Sequence, residues 1–292
     1  MTTAPSSTTR TWFITGANRG LGRAFTIAAL AAGDTVVATA RDPRTMADID
    51  DARLTVLPLD VRDRVQVFAT VAAAFGVTGR LDVIVNNAGY GLVGALEELT
   101  ESQIRDQMDT NFYGALWVSQ SALPFLRAQG SGHIVQISTV GAVGSLPLFS
   151  MYNASKWALE GFSASLADEL RPFGVKVTLA QMGGFDTDWA KSSMRFGTAV
   201  PAYSGVREAI LGMTGYPDPS AVSPAEATAP AAGNEWAEPA PEVAAAGLLA
   251  LVNETDPPLR RIIGPGAHQM VALALDARRK DYVTDPEFTW PA

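Results

Sequence analysis

Short apolar runs alternate along the chain with longer stretches in which apolar residues recur every three or four positions. Brief apolar runs bounded by turn residues read as buried strands, and the longer recurrence reads as amphipathic helix. On that basis Thr11–Thr15 is predicted as a strand, Gly20–Ala32 as a helix, Thr35–Ala40 and Leu54–Pro58 as strands, and Arg62–Phe75 as a helix. Leu81–Asn86 follows as a strand. One long helix is expected over Thr100–Leu126, opened by a capping box of Thr100 and Gln103. Gly132–Ser138 and Val175–Gln181 read as strands on either side of a helix over Ser150–Phe173. Such alternation requires crossover connections, which are right-handed, and produces a parallel sheet covered by helices on both faces. The expected fold class is α/β, a doubly wound parallel sheet.

Beyond Gln181 the pattern weakens. Asp186–Phe196 and Val206–Thr214 read as short helices, while Tyr216–Pro241 is rich in Pro, Ala, Ser and Glu and has little periodicity. That composition reads as an extended insertion, with Trp236 as its aromatic anchor. Pro241–Asn253 returns to helix, Arg260–Ile263 to strand and Ala267–Asp281 to helix. With no internal repeat and no second core, residues 1–292 are expected as a single domain: a core over 10–185, a variable region over 186–258, and a last strand and helix over 259–292.

Composition narrows the chemistry. Hydrophobic residues are 47% of the chain and charged residues 18%, which suits a globular protein. A net charge of −8 argues against a general nucleic-acid binder, which needs a basic surface. Without cysteine there is no disulfide or thiolate chemistry, and two histidines, His133 and His268, are too few for a histidine-based metal site. No metal is expected. Met1–Arg10 lacks the apolar core of a secretory signal, and the longest apolar stretch, Val243–Val252, is too short to span a bilayer. A soluble, cytoplasmic protein is expected, with neither a nucleic-acid partner nor a membrane span.

The first predicted strand runs into Thr15-Gly16-Ala17-Asn18-Arg19-Gly20-Leu21-Gly22. Glycines at 16, 20 and 22 permit a tight turn and let a pyrophosphate approach the backbone, while the next helix aims its unpaired N–H groups at the phosphates. A strand–turn–helix context at the start of a βα series makes this a dinucleotide site on a Rossmann-type sheet. Charge selects the cofactor. The second strand ends Ala38-Thr39-Ala40-Arg41-Asp42, with Ala40 where a carboxylate would hold a ribose 2′-hydroxyl. Arg41 and Arg19 suit a 2′-phosphate instead, so NADP(H) is expected over NAD(H). Asp42 complicates this, because it can pair with Arg41.

Tyr152-Asn153-Ala154-Ser155-Lys156 opens a predicted helix, and positions four apart share a face. A cation beside a phenol favours phenolate, and a fall in the tyrosine pKa from about 10 to near 7 is worth about 4 kcal/mol. Acid–base catalysis at neutral pH needs tuning of that kind. Ser138 closes the preceding strand at the carboxyl edge, where sheets of this type bind ligands, and is the candidate for holding a carbonyl oxygen beside the tyrosine.

With these residues together, the sequence resembles the short-chain dehydrogenase/reductase family, in its single-domain branch. The resemblance rests on Thr15–Gly22, Leu59-Asp60-Val61, Asn86-Asn87-Ala88-Gly89, Asn111, Ser138, and Tyr152 with Lys156, in order and spacing from about residue 10 to 190. It implies that Tyr152 donates a proton to a substrate carbonyl. Lys156 would lower the tyrosine pKa and hold the nicotinamide ribose, and Ser138 would position the substrate oxygen. Asn111 would bend its helix and anchor a water that links Lys156 to solvent. Asp60 and Val61 would flank the adenine, and Asn87, Ala88 and Gly89 would border its ribose. In one departure, Met182 stands where the family often has proline, before Gly183 and a threonine, Thr187, that would meet the carboxamide. Dimers and tetramers are common among similar proteins, so a homo-oligomer is possible.

The candidate pocket wall is apolar: Tyr90, Leu92 and Val93, then Val140, Val143 and Leu146, then Met182, Trp189, Met194 and Phe196. Of these, Tyr90, Val140, Leu146, Met182 and Trp189 are the candidate substrate residues. Such a wall suits a lipophilic ketone or alcohol. The insertion lies where the resemblance places a variable substrate lid. Two other readings stay open: a non-catalytic NADP(H)-binding sensor or scaffold, and a sugar-nucleotide epimerase or dehydratase on the same fold.

Overall fold

A computed structural model describes residues 9–187, 193–217 and 238–291. In chain order the elements are β1 (Thr11–Ile14), α1 (Gly20–Ala31), β2 (Thr35–Ala40), β3 (Leu54–Pro58), α2 (Arg64–Thr78), β4 (Val83–Asn86) and β5 (Leu92–Val93). They continue with α3 (Glu101–Met108), α4 (Gly114–Gln129), β6 (Gly132–Thr139), α5 (Ser150–Leu170), β7 (Val175–Met182) and β8 (Arg195–Phe196). The last are α6 (Ser204–Leu211), α7 (Pro241–Val252), β9 (Arg260–Ile263) and α8 (Ala267–Val283).

Seven strands form one parallel sheet in the order β3-β2-β1-β4-β6-β7-β9. Side chains alternate across it. Trp12, Ile14, Val36, Ala38, Val85, Val135 and Ile137 face one way and pack on α1 and α7. Phe13, Val37, Ile84, Ile134 and Val177 face the other way, onto α2, α4 and α5. Period-two alternation therefore supplies both cores from the same strands. The fully buried Trp12 has its indole N–H satisfied by Asp34 at 2.8 Å. β1 pairs with β2 on one side and β4 on the other, so the strand order reverses between β1 and β4, and that switch point opens a crevice at the carboxyl edge.

Three expectations need correction. The helix expected over Thr100–Leu126 is two helices, α3 and α4, joined by a π-helical turn over Asp109–Tyr113 and running on to Gln129. The capping box is as expected: Gln103 N–H donates to the Thr100 hydroxyl at 3.3 Å, and Thr100 N–H to Gln103 Oε1 at 2.9 Å. Asp186–Phe196 is not one helix, because Arg195–Phe196 is a strand that pairs in parallel with Leu92–Val93. The helix expected over Val206–Thr214 starts and ends earlier, as α6. Trp189, Trp236 and most of the Tyr216–Pro241 insertion lie outside the described residues.

Segment 200–216 is held by a buried anchor. Arg207 and Glu98, with side chains 2% and 0% exposed, form an ion pair. Arg207 Nε donates to Thr214 O at 2.6 Å and Nη2 to Val200 O at 3.0 Å. Glu98 also accepts from the backbone N–H of Ala95 and Val200 and from the Tyr216 hydroxyl. A buried charge pair is tolerable when its remaining hydrogen-bonding capacity is filled in this way.

Candidate active site

A cleft of about 770 Å³ runs along the carboxyl edge of the sheet. Its floor is the glycine turn. Gly16 has φ +62°, and a Cβ there would lie 2.9 Å from Ala88 Cα. A Cβ on Gly22 would lie 2.3 Å from Gly16 O, so the turn closes only with glycine at both places. Asn87 braces it by donating its side-chain N–H groups to Thr15 O at 2.9 Å and Gly16 O at 3.0 Å. The Thr15 hydroxyl accepts from the backbone N–H of Asn87 and Ala88, both at 3.0 Å. The N-cap residue of α1, Arg19, gives the helix no side-chain cap, and the first turn of α1 faces the same cleft. A helix N-terminus beside a glycine cradle fits a pyrophosphate.

Asn18, Arg19, Gly20, Leu21, Arg41, Asp60, Val61, Gly89, Gly183 and Thr187 all line this cleft. Ala40 is buried at the end of β2, and Arg41 follows it, exposed at the cleft. Asp42 does not pair with Arg41. Its carboxylate caps the next turn and holds Arg44, with Arg44 Nε at 2.9 Å and Nη2 at 2.9 Å. Asp60 is bound by Arg62, whose guanidinium holds its carboxyl below the usual range. Arg62 reaches on to Asp106 at 3.4 Å.

The catalytic candidates sit where β6 meets α5, and here the sequence reading is corrected. Ser138 does not point at Tyr152; its hydroxyl donates to the buried Glu160 carboxylate at 2.7 Å. The next residue, Thr139, turns to the opposite side of the strand and hydrogen-bonds the Tyr152 side chain. Adjacent strand residues face opposite ways, so an offset of one residue exchanges these positions. Thr139 was missed because the two hydroxyls are neighbours in sequence. Lys156 Nζ donates to Ile137 O at 2.8 Å.

The expected lowering of the Tyr152 pKa by Lys156 is not what the protein's own groups produce. Burial pushes the phenol up to about 12, offset only in part by the Thr139 hydrogen bond. Burial also lowers the Lys156 ammonium to about 8, with Glu160 acting against it. The cause in both is loss of water around the charged form.

Asn111 lies in the π turn and is buried. Its side chain accepts from Tyr90 N–H at 3.0 Å and donates to Tyr90 O at 2.9 Å and to the Ser155 hydroxyl at 3.2 Å. It thus ties the loop after β4 to α5. A Cβ on Gly89 would lie 3.1 Å from Asn111 Oδ1 and 3.7 Å from Lys156 Nζ, which places the three together.

The remaining wall is largely apolar. Val140 and Val143 pack on Ala267 and Val271 of α8, Leu146 is exposed at the cleft, and Met182 lines it while also packing in the core. Phe149, edge-on to Tyr152 with ring centroids 6.4 Å apart, and Met270 also line the cleft. Neither was among the expected wall residues; Met270 lies more than a hundred residues from Tyr152 in the chain. Tyr90 is half-buried, and burial with the nearby Asp106 pushes its phenol up to about 12. Trp189 lies outside the described residues. Among the described residues no group of acidic or histidine side chains is arranged to hold a metal, and no helix is long and apolar enough to cross a membrane.

Comparison with known proteins agrees with this geometry. The family model "short chain dehydrogenase" matches residues 10–196. Oxidoreductase BOA17 of Botryotinia fuckeliana is 38% identical over 272 residues, 92% of this chain and 93% of that protein. Human 17-beta-hydroxysteroid dehydrogenase type 1 is 39% identical over 189 residues, 60% of this chain and 56% of that protein. The crystal structure of a short-chain dehydrogenase from Streptomyces avermitilis superposes with a TM-score of 0.81 at 34% identity, covering 96% of each chain. With the glycine cradle, the braced Asn87 and the Tyr152–Lys156 helix all on one cleft edge, the chain belongs to the short-chain dehydrogenase/reductase family of NAD(P)-dependent oxidoreductases.

Proposed function

We propose that the protein reduces the ketone of a lipophilic small molecule with NADPH, Tyr152 serving as proton donor. The observation that carries this reading is the Tyr152 phenol hydrogen-bonded to Thr139 at the cleft edge, with Lys156 one helical turn away. Thr139, rather than Ser138, takes the role of orienting the substrate oxygen. The nicotinamide supplies the hydride when bound. Tyr152 donates its hydroxyl proton to the substrate oxygen as charge develops there. Lys156 supplies a positive charge beside the phenol, which favours the phenolate left behind. A phenol that keeps its proton at neutral pH can act as the donor that ketone reduction requires.

The NADPH preference is supported by Ala40 at the end of β2 and Arg41 beyond it, with Asp42 engaged by Arg44 rather than opposing Arg41. Arg19 lines the same cleft. A lipophilic substrate is supported by Val140, Leu146, Phe149, Met182 and Met270 along the wall, and one similar protein is named for a hydroxysteroid. A panel of lipophilic ketones with NADPH, read by loss of cofactor absorbance, tests the reading. Tyr152→Phe is expected to abolish turnover of the accepted ketone while leaving NADPH affinity within a few-fold. Retained turnover in that variant overturns the assignment of Tyr152.

A further inference from the structure

Glu160 is a buried carboxylate beside the active site that the proposed chemistry does not use. It is 7% exposed and lies on α5 one turn beyond Lys156 and two beyond Tyr152. Its Oε1 accepts from the Ser138 hydroxyl at 2.7 Å and from Gln181 Nε2 at 2.9 Å. Its Oε2 accepts from Arg260 Nε at 2.8 Å. Three donors from three strands converge on it, one of them the Arg260 guanidinium. Tyr152, Lys156 and Glu160 thus meet Thr139, Ile137 O and Ser138, three consecutive residues of β6.

We propose that Glu160 is a positioning residue of this active site: it locks the register of α5 on β6, β7 and β9, and it is the counter-charge of the Lys156 ammonium. This rests on the oxidoreductase reading above only for its effect on rate. Lys156 is buried, and its ammonium donates to a neutral carbonyl, Ile137 O. Among the described residues, the charged or titratable groups near it are Tyr152 and Glu160 on its own helix, and behind Glu160 the Arg260 guanidinium of β9. The nearby strand groups of β6 and β7 include the neutral Ser138, Gln181 and Ile137 O. Arg260 has a side chain 47% exposed, so water screens it while Glu160 remains inside. The net field at Lys156 is therefore negative and favours the ammonium.

The chain contains four lysines, Lys156, Lys176, Lys191 and Lys280, so a lysine-labelled NMR titration resolves each side chain. The Lys156 signal is identified by its loss in Lys156→Met. In the wild-type protein its midpoint is expected at about 8. In Glu160→Gln, which keeps the side chain's shape, the midpoint is expected to fall by about one pH unit. The high-pH limb of kcat for ketone reduction should move down with it. An unchanged midpoint in the folded variant overturns the proposal. Should Glu160→Gln not fold, the paired variant Glu160→Gln with Arg260→Gln, which removes the guanidinium together with its carboxylate partner, carries the same test in the same direction. The titration needs no turnover. A protein that keeps activity in Tyr152→Phe therefore refutes the acid–base reading while leaving the Glu160 measurement intact.

Discussion

Thr139 and Ser138 show how much one peptide unit decides. Both carry a hydroxyl at the end of β6, but one meets the Tyr152 phenol and the other the Glu160 carboxylate. Thr139→Val, which keeps the shape and removes the hydroxyl, is expected to lower kcat about a hundredfold or more. Thr139→Ser should restore most of that rate, and Ser138→Ala should cost only a few-fold. Steady-state kinetics on one accepted ketone compares the three, and a greater loss at Ser138 than at Thr139 would return the role to the serine. Arg41 gives a second test at this scale. Its removal in Arg41→Ala should raise KM for NADPH about tenfold or more, since a charged hydrogen bond is worth ~1.5–3 kcal/mol, while KM for NADH stays nearly constant. Equal effects on both cofactors would mean that Arg41 does not read the 2′-phosphate. The site was largely legible in sequence at this scale because glycines, asparagines and the Tyr–Lys pair have fixed spacing. What could not be read was which of two adjacent hydroxyls meets the Tyr152 phenol, nor that Asp42 turns to Arg44, since both depend on local backbone direction.

The long strands and helices were legible because each buries a whole face, and a buried face leaves a periodic trace. β5 and β8 are two residues each, too short for any period, and their pairing joins positions about a hundred residues apart. The π turn at Asp109–Tyr113 escaped for a related reason: one added residue shifts the helical phase without interrupting the apolar recurrence. Between β6 and β7, His133 Nε2 lies 2.9 Å from the Thr178 hydroxyl, which donates its own proton to Pro258 O. His133 is therefore the donor to Thr178. Burial lowers its pKa to about 4, with Lys176 and Arg10 adding repulsion. The unfolded chain takes up this proton near pH 6.5 and the folded one only near 4, so stability falls as pH drops through that window. The loss reaches about 3 kcal/mol at its lower end. Urea melts at neutral and acid pH should show a smaller acid loss in His133→Gln, and an identical loss would assign the acid sensitivity to other groups.

At the scale of the molecule, the crevice follows from strand order. The sheet reverses direction of growth between β1 and β4, and the glycine turn and the β4 loop part there, one on each side. That much was readable from the alternation of elements alone. The closing of the cleft by Met270 of α8 was not, because it depends on where the last helix lands. The meeting of α5 with β6 also sets a rule for tolerable length. Each added residue turns a helix by about 100°, so an insertion between Lys156 and Glu160 cannot keep both on their strand partners. The exposed Ser145, Leu146 and Pro147 lie before the helix, where extra chain needs only to loop outward, and loop lengthening costs little. One glycine inserted after Ser145 should leave the melting temperature within a few degrees. The same glycine inserted after Leu159 should lower it far more. Chain length is thus free to vary on one side of Tyr152 and fixed on the other, so natural or engineered diversity in this pocket has to enter from the strand side of the helix.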